Sequence, residues 1–370
     1  MKKYIFLILV SLLLISDGSP IYANAPISDI AVSGRSAVLM EQESGRVLVA
    51  KQEHEERKIA SITKIMTAIL AIESGKLTEK VKVSYEATGV EGSSLYLKPK
   101  EKVTLEDLTY GLMLRSGNDA AVAIAEHVGG SVDGFVYMMN KKAQEIGMND
   151  SQFTNPHGLD DGEEHYSTAY DMALLMQYAM KNEKFREISQ TERYKSPQEG
   201  EKWDRVWNNK NKLLTSLYEY CTGGKTGYTK KAGRTLVTTA EKDGMSLIAV
   251  TLDAPSDWDD HIAMYEAGFA RYSLVQMATA QEKLPVKGLQ KGKLYTEEDV
   301  YYPVTENEKN SIQKKIIVNK DALDAKVPRT VAGKIEWYID NELVQSAALI
   351  YEKPIEREDN FFKKLFRFFS

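Results

Sequence analysis

The chain has 370 residues, 43% hydrophobic and 27% charged, with 24 Gly, 10 Pro and a single Cys. That balance describes an ordinary globular chain, long enough for one large domain and a smaller one, and it excludes a disordered or fibrous polypeptide. Lys+Arg 48 against Asp+Glu 53 gives a net charge of −5 with the two signs interspersed, which counts against a nucleic-acid binder, and one Cys excludes a disulfide framework or a multi-cysteine zinc site.

In chain order, residues 1–23 read as a secretory signal. Lys2 and Lys3 supply the charged start, Ile5 to Ile15 an apolar run too short to span a bilayer, and Ala23 and Ala25 the small residues of a cleavage site. Cleavage after Ala23 is expected, because a cut after Ala25 would leave Pro26 next; the alternative is a retained N-terminal anchor. Either way the folded part is exported. Ala37 to Met40 and Val47 to Ala50 flank the turn Glu43-Ser44-Gly45 and predict a hairpin. Ile62, Ile65, Met66, Ile69, Leu70 and Ile72 repeat with helical spacing, and Gly75 ends the run. A helical middle follows, over Leu105 to Leu114, Ala120 to Val128 and Phe135 to Ile146. Strands return at Thr235 to Ala240 and Leu247 to Thr251 across Asp243-Gly244. With strands at both ends and helices between, the terminal strands are expected to share one antiparallel sheet with helices on both faces, an α+β fold over residues 28–275.

After about Ser273 the texture changes to short alternating segments, such as Lys314 to Val318 and Lys334 to Ile339, separated by charged turns. This predicts a small β-rich domain over residues 276–352. Residues 353–370 read as a tether and an amphipathic helix. Phe361, Phe362, Leu365, Phe366, Phe368 and Phe369 cover one side at 100° per residue, and Lys363, Lys364 and Arg367 the other. That arrangement suits a helix lying in an anionic membrane surface, the alternative being a helix packed on its own domain.

Three short patterns carry the chemistry. They occur in the order Ser61-Ile62-Thr63-Lys64, Ser116-Gly117-Asn118 and Lys225-Thr226-Gly227. The first is common by itself, and Ser311-Ile312-Gln313-Lys314 also fits it. Only the Ser61 copy opens an apolar helix and is followed by the other two. Residues i and i+3 of a helix share a face, so Lys64 can sit over the Ser61 hydroxyl and remove its proton if burial and a second cation, Lys225, lower its pKa. Backbone N–H groups at the start of that helix stand where an oxyanion would form. The Ser116-Gly117-Asn118 stretch is expected as a polar loop between two helices, and Lys225-Thr226-Gly227 as a cation, a hydroxyl and an approachable backbone ahead of a strand, suited to a substrate carboxylate.

Other features are set aside. Gly224-Lys225-Thr226 resembles a phosphate loop, but that pattern needs Gly where Glu219 stands. His157, Asp160, Asp161, Glu163, Glu164 and His165 have no helical pairing of metal ligands and read as a polar surface loop. Cys221 reads as a buried structural thiol.

Taken together, the three patterns resemble the active-site motifs of penicillin-binding serine D,D-peptidases. The surroundings Ile59 to Ile72, Gly111 to Glu126 and Asn155 to Asp160 are similar to the low-molecular-mass D-alanyl-D-alanine carboxypeptidases, most of all the sporulation-associated kind. The resemblance implies a β-lactamase/D,D-peptidase-like fold, no cofactor or metal, a peptidoglycan stem peptide ending in D-Ala-D-Ala as substrate, β-lactams as inhibitors, and a place at the outer face of the cytoplasmic membrane. It implies Ser61 as nucleophile, Lys64 as base, and Ser116 with Lys225 as a proton relay to the leaving amine. It further implies Asn118 on the substrate amide, Lys225 and Thr226 on the terminal carboxylate beside Gly227, and the N–H groups of Ser61 and Tyr228 as the oxyanion hole. Lys210 and Lys212 stand where relatives can carry Arg. The rival reading is a class A-like β-lactamase, which shares two of the motifs but uses a further glutamate for deacylation, and no Glu-x-x-Leu-Asn segment is evident.

Overall fold

The computed structural model describes residues 30–160, 164–198, 200–286, 292–323 and 327–354. The segment expected to be a secretory signal and the Phe-rich C-terminal run expected to be an amphipathic helix lie outside them. Among the described residues, no helix is long and apolar enough to cross a membrane. The chain divides into two compact units, the larger built from Ala25–Leu274 with Pro303–Thr305, and the smaller beginning at Val275.

In the larger unit, strands β1 (Ser36–Glu41) and β2 (Val47–Lys51) lead through a 3-10 turn (Ala60–Thr63) into α1 (Lys64–Glu73). There follow β3 (Lys80–Lys82), α2 (Tyr85–Thr88), β4 (Lys102–Thr104), α3 (Leu105–Arg115), α4 (Asn118–Gly129), α5 (Val132–Glu145), α6 (Ala169–Met180) and α7 (Glu183–Ser189). Next come β5 (Arg193–Ser196), β6 (Arg205–Asn208), β7 (Cys221–Thr229), β8 (Gly233–Lys242), β9 (Met245–Leu252) and α8 (Asp257–Arg271). The main sheet has the order β2-β1-β9-β8-β7, antiparallel throughout, so the first and last strands of the unit do share one sheet. The β8–β9 turn falls at Asp243 (φ 51°) and Gly244 (φ 80°), the left-handed pair that a two-residue hairpin turn demands.

One face of the sheet packs Leu39, Leu48, Leu247 and Ala249 against Met264 and Tyr265 of α8. The alternate residues Val38, Met40, Ile248 and Val250 point to the opposite face and are also fully buried, and α6 lies against β1 and β9. Helices therefore cover both faces. This double coverage is why these strands read as unbroken apolar runs rather than alternating ones. Each such buried Val, Leu or Ile contributes about 1.5–3 kcal/mol. Helices α3, α5, α6 and α7 each start with a side-chain cap, from Thr104, Ser131, Thr168 and Asn182.

The smaller unit carries β11 (Lys293–Tyr295), β13 (Gln313–Val318), a short α9 (Lys320–Leu323), β14 (Arg329–Ile339) and β15 (Glu342–Glu352), while β10 (Ser273–Ala278) pairs with β12 (Val300–Val304). The four-stranded sheet has the order β11-β15-β14-β13 around Leu294, Ile335, Trp337 and Leu349. The two segments expected from alternation pair directly, with Lys314 opposite Trp337 and Ile317 opposite Lys334. Lys314 thus belongs to a strand, and the second Ser-x-x-Lys pattern has no helical face to share.

Candidate active site

The site forms where β7, the free edge of the main sheet, meets the chain entering α1. Thr235 Oγ1 on β8 donates to Ile59 O at 2.9 Å, and Gly227 lies so close that a Cβ there would stand 2.9 Å from Ser61 N. Only a residue without a side chain allows that approach. Ser61 itself sits in the 3-10 turn rather than in α1, and that turn and α1 both begin without a side-chain cap, unlike the capped helices elsewhere. Ala60, just before Ser61, is held at φ 50°. The restraint is visible: Thr154 N donates to His165 Nδ1 (3.1 Å), so the neutral ring carries its proton on Nε2 and donates to Thr63 Oγ1 (2.8 Å), which donates to Ala60 O (2.8 Å). Burial and the nearby lysines hold the His165 pKa down at about 4, which keeps the ring neutral.

Lys64 is fully buried, and its Nζ stands 2.9 Å from Ser61 Oγ, 2.7 Å from Asn118 Oδ1 and 2.6 Å from His157 O. Burial first, then the charges of Lys225 and Lys210, push its pKa well below the ordinary lysine value, with Asp119 opposing. Asn118 Oδ1 and His157 O can only accept, so a neutral amine places its two N–H groups on them and its lone pair at the Ser61 hydroxyl.

The facing wall is made by residues 91–97 and the α3–α4 junction. Ser116 ends α3 in the left-handed region (φ 66°) and is 5% exposed, and Asn118 opens α4. Asn118 N donates to Ser93 O (2.7 Å) and Asn118 Nδ2 to Glu91 O. Asp119 accepts from Leu95 N, Leu97 N and Ser94 Oγ, and Lys210 Nζ reaches Ser93 Oγ at 3.1 Å. On the sheet side Lys225 is buried, donates to Thr226 O at 2.7 Å, and has its pKa lowered to about 7 by burial and by Lys210. Thr226 is half-buried, and Tyr228 next along β7 is exposed.

Ser61, Lys64 and Asn118 are thus brought into direct contact. Ser116 sits beside Asn118 at the α3–α4 junction, and Lys225 is close enough to act on Lys64 electrostatically. Two expectations need correction. The Lys225-Thr226-Gly227 pattern lies within strand β7 rather than ahead of a strand; with Cys221-Thr222-Gly223-Gly224 before it, the segment lacks the β-branched and aromatic residues that mark a strand. The His157–His165 segment is not a polar surface loop throughout, since His157 and His165 are 6% and 2% exposed; Asp161 and Glu163 fall outside the described residues. Sequence reasoning missed both histidines because one acts through its backbone carbonyl and the other through a ring bond to Thr63, 102 residues away. Both Lys210 and Lys212 are exposed, and of the two Lys210 acts on the charges of Lys64 and Lys225. Cys221 is buried with its thiol pKa pushed up to about 11, an inert structural residue. Among the described residues, no group of His, Cys, Asp and Glu is arranged to hold a metal ion.

Residues 22–256 match the family model Peptidase_S11, described as D-alanyl-D-alanine carboxypeptidase, and residues 269–357 match the C-terminal domain of penicillin-binding protein 5. The chain is 34% identical over 346 residues to the D-alanyl-D-alanine carboxypeptidase DacF of Bacillus subtilis, covering 89% of this chain and 88% of that one. It is 32% identical over 306 residues to DacA of Haemophilus influenzae, covering 76% and 70%. The crystal structure of penicillin binding protein 5 from Haemophilus influenzae superposes with a TM-score of 0.74 at 27% identity, over 88% of this chain and 98% of that one. The chain therefore belongs to the D-alanyl-D-alanine carboxypeptidase family and is a serine-type peptidase of the penicillin-binding protein 5 kind.

Proposed function

We propose that the protein removes the terminal D-Ala from peptidoglycan pentapeptide stems through an acyl-enzyme on Ser61, and that β-lactams acylate the same oxygen. The observation that carries the reading is the buried Lys64 amine, 2.9 Å from Ser61 Oγ and held well below its ordinary pKa. Lys64 takes the Ser61 proton as Oγ attacks the carbonyl between the two D-alanines. The N–H groups of Ser61 and Tyr228 receive the developing oxyanion, a contribution of about 3–4 kcal/mol per donor in comparable sites. Ser116, with Lys225, passes a proton to the departing D-Ala amine, so the C–N bond breaks as the ester is completed. Water then attacks the ester, returns the proton to Ser61 and releases the shortened stem.

The carboxylate of the leaving D-Ala is held by Lys225 and Thr226, and the peptide lies along the edge of β7 beside Gly227. Asn118 acts first by fixing Lys64, because its Oδ1 accepts from Nζ, while its Nδ2 gives one N–H to Glu91 O and keeps the second for the substrate amide. The N-terminal signal and the C-terminal face of Phe361, Phe362 and Phe366 opposed by Lys363, Lys364 and Arg367 support an exported enzyme attached peripherally to the outer face of the cytoplasmic membrane. Resemblance to the sporulation-associated members supports a role in spore-wall modification.

Intact mass of the purified protein after mixing with benzylpenicillin, followed by peptide mapping, tests the mechanism. A lasting single adduct on Ser61, together with loss of D-Ala release from a pentapeptide in Ser61→Ala, is expected. Penicillin consumed with no adduct would install the class A-like β-lactamase instead, and penicillin left untouched would indicate a non-catalytic protein.

A further inference from the structure

A cavity of about 350 Å³ opens beside the site, lined by Ser94, Leu95, Tyr96, Arg115, Arg205, Val206, Trp207 and Asn208. Three of these are chain neighbours of site residues. Ser94 follows Ser93, which accepts from Asn118 N; Arg115 precedes Ser116; and Asn208 lies two residues before Lys210. The cavity therefore lies on the wall made by residues 91–97 and the α3–α4 junction.

Its lining contains two cations and no carboxylate. Arg205 is matched by Glu101 in a two-pronged ion pair at 2.6 and 2.9 Å, both side chains almost fully buried. Arg115 has no such match. Among the described residues its hydrogen-bond partner is Asn208 O, a long contact at 3.4 Å, and its charge acts on Lys210. One uncompensated guanidinium thus faces a cavity whose remaining lining sets Leu95, Tyr96, Val206 and Trp207 beside the polar Ser94 and Asn208. The backbone of this wall is held rigid: Asp119 anchors the Leu95 and Leu97 amides, and Tyr96, fixed at φ 58°, leaves its ring 84% exposed at the rim.

We infer that this cavity is a specificity subsite that takes an acidic side chain, carried on a methylene stem, from the residue immediately before D-Ala-D-Ala, with Arg115 pairing its carboxylate. The inference rests on the proposed peptidase reading. An extended peptide advances about 3.5 Å per residue, so the residue before the acylated D-Ala lies one step from Ser61. Contacts lead from the nucleophile to the rim: Lys64 touches Ser61 and Asn118, Asn118 N donates to Ser93 O, and Ser94 lines the cavity. The stem packs on Leu95 and Tyr96, and the carboxylate takes the fork geometry for which arginine is suited.

The test is D-Ala release from two synthetic donors, Nα-acetyl-L-2-aminoadipyl-D-Ala-D-Ala and Nα-acetyl-L-norleucyl-D-Ala-D-Ala, which differ in the terminal carboxylate of the side chain. The wild-type enzyme is expected to favour the aminoadipyl donor in kcat/KM by about tenfold. Arg115→Gln is expected to bring that ratio close to one, and Arg115→Lys to keep part of it. The ratio is independent of the active fraction of a preparation, and the wild-type ratio needs no variant. A wild-type ratio of one or less overturns the inference, as does an unchanged ratio in Arg115→Gln. An equal loss for both donors would assign Arg115 to the shared C-terminal carboxylate and overturn it as well. Acylation of wild-type Ser61 by benzylpenicillin separates the two levels: without it the peptidase reading fails, and with it a flat ratio counts against the subsite alone.

Discussion

Gly227→Ala probes how closely the sheet edge must approach the nucleophile. The new Cβ would lie 2.4 Å from Thr235 Oγ1, 2.9 Å from Ser61 N and 3.1 Å from Ile62 N, where ordinary contact begins at 3.4 Å. Relief requires the edge strand and the Ser61 turn to part by about 0.5 Å, and Thr235 to swing away by about 1 Å, which breaks its bond to Ile59 O. The lost hydrogen bond and the overpacking together cost about 2–3 kcal/mol, or a fall in Tm of about 5–10 °C for a unit of this size. A displacement of 1 Å at a catalytic site costs on the order of a hundredfold, so half of that predicts about a tenfold slower reaction. The assay is the second-order rate of benzylpenicillin acylation, with Tm measured in parallel. Gly244→Ala is the control, because nothing lies within 4 Å of its added Cβ and only the φ of +80° resists it. It should cost about 1–2 kcal/mol in strain and leave acylation at the wild-type rate. Wild-type acylation in Gly227→Ala, or equal slowing in both variants, would refute the argument that this contact sets the position of Ser61.

Three further outcomes are expected. Lys64→Met removes the amine and leaves Asn118 Oδ1 and His157 O buried without that donor, so penicillin acylation should fall by about a thousandfold or more, with thermal unfolding used to confirm the fold. Lys225 has a folded pKa near 7 against 10.5 when exposed, so between those values the unfolded chain binds more protons and this residue makes stability rise with pH; Lys225→Met should flatten the slope of Tm against pH over that window. Arg205→Met strands the Glu101 carboxylate and should destabilise the protein by about 3 kcal/mol, while Glu101→Leu combined with Arg205→Met should recover much of it in denaturant titrations.

Several structural features were legible because they are local. The i, i+3 spacing of Ser61 and Lys64, the Asp243-Gly244 turn and the apolar runs at Ala37 to Met40 and Leu247 to Thr251 each follow from propensity, turn chemistry or periodicity over a few residues. Two mistakes have the same origin. The β7 segment carries Gly223, Gly224 and Gly227 because its neighbours, Ser189, β8 and the Ser61 turn, press against it. Its strand identity therefore comes from pairing with β8 rather than from its own residues. His157 and His165 are polar residues in a polar stretch, and nothing within that stretch announces that it folds under α1.

What the sequence by itself determined is the order of the elements, the sharing of one sheet by the larger unit's early and late strands, and the presence of a hydroxyl, an amine and a second cation in three ordered patterns. What only the tertiary structure decided is the state of those groups. Lys64 is a candidate base because Asn118 and His157, 54 and 93 residues away, close around its amine and because Lys225 and Lys210 converge on it. Desolvation and Coulomb interactions act through space, and no local pattern encodes which distant charges will share a buried volume.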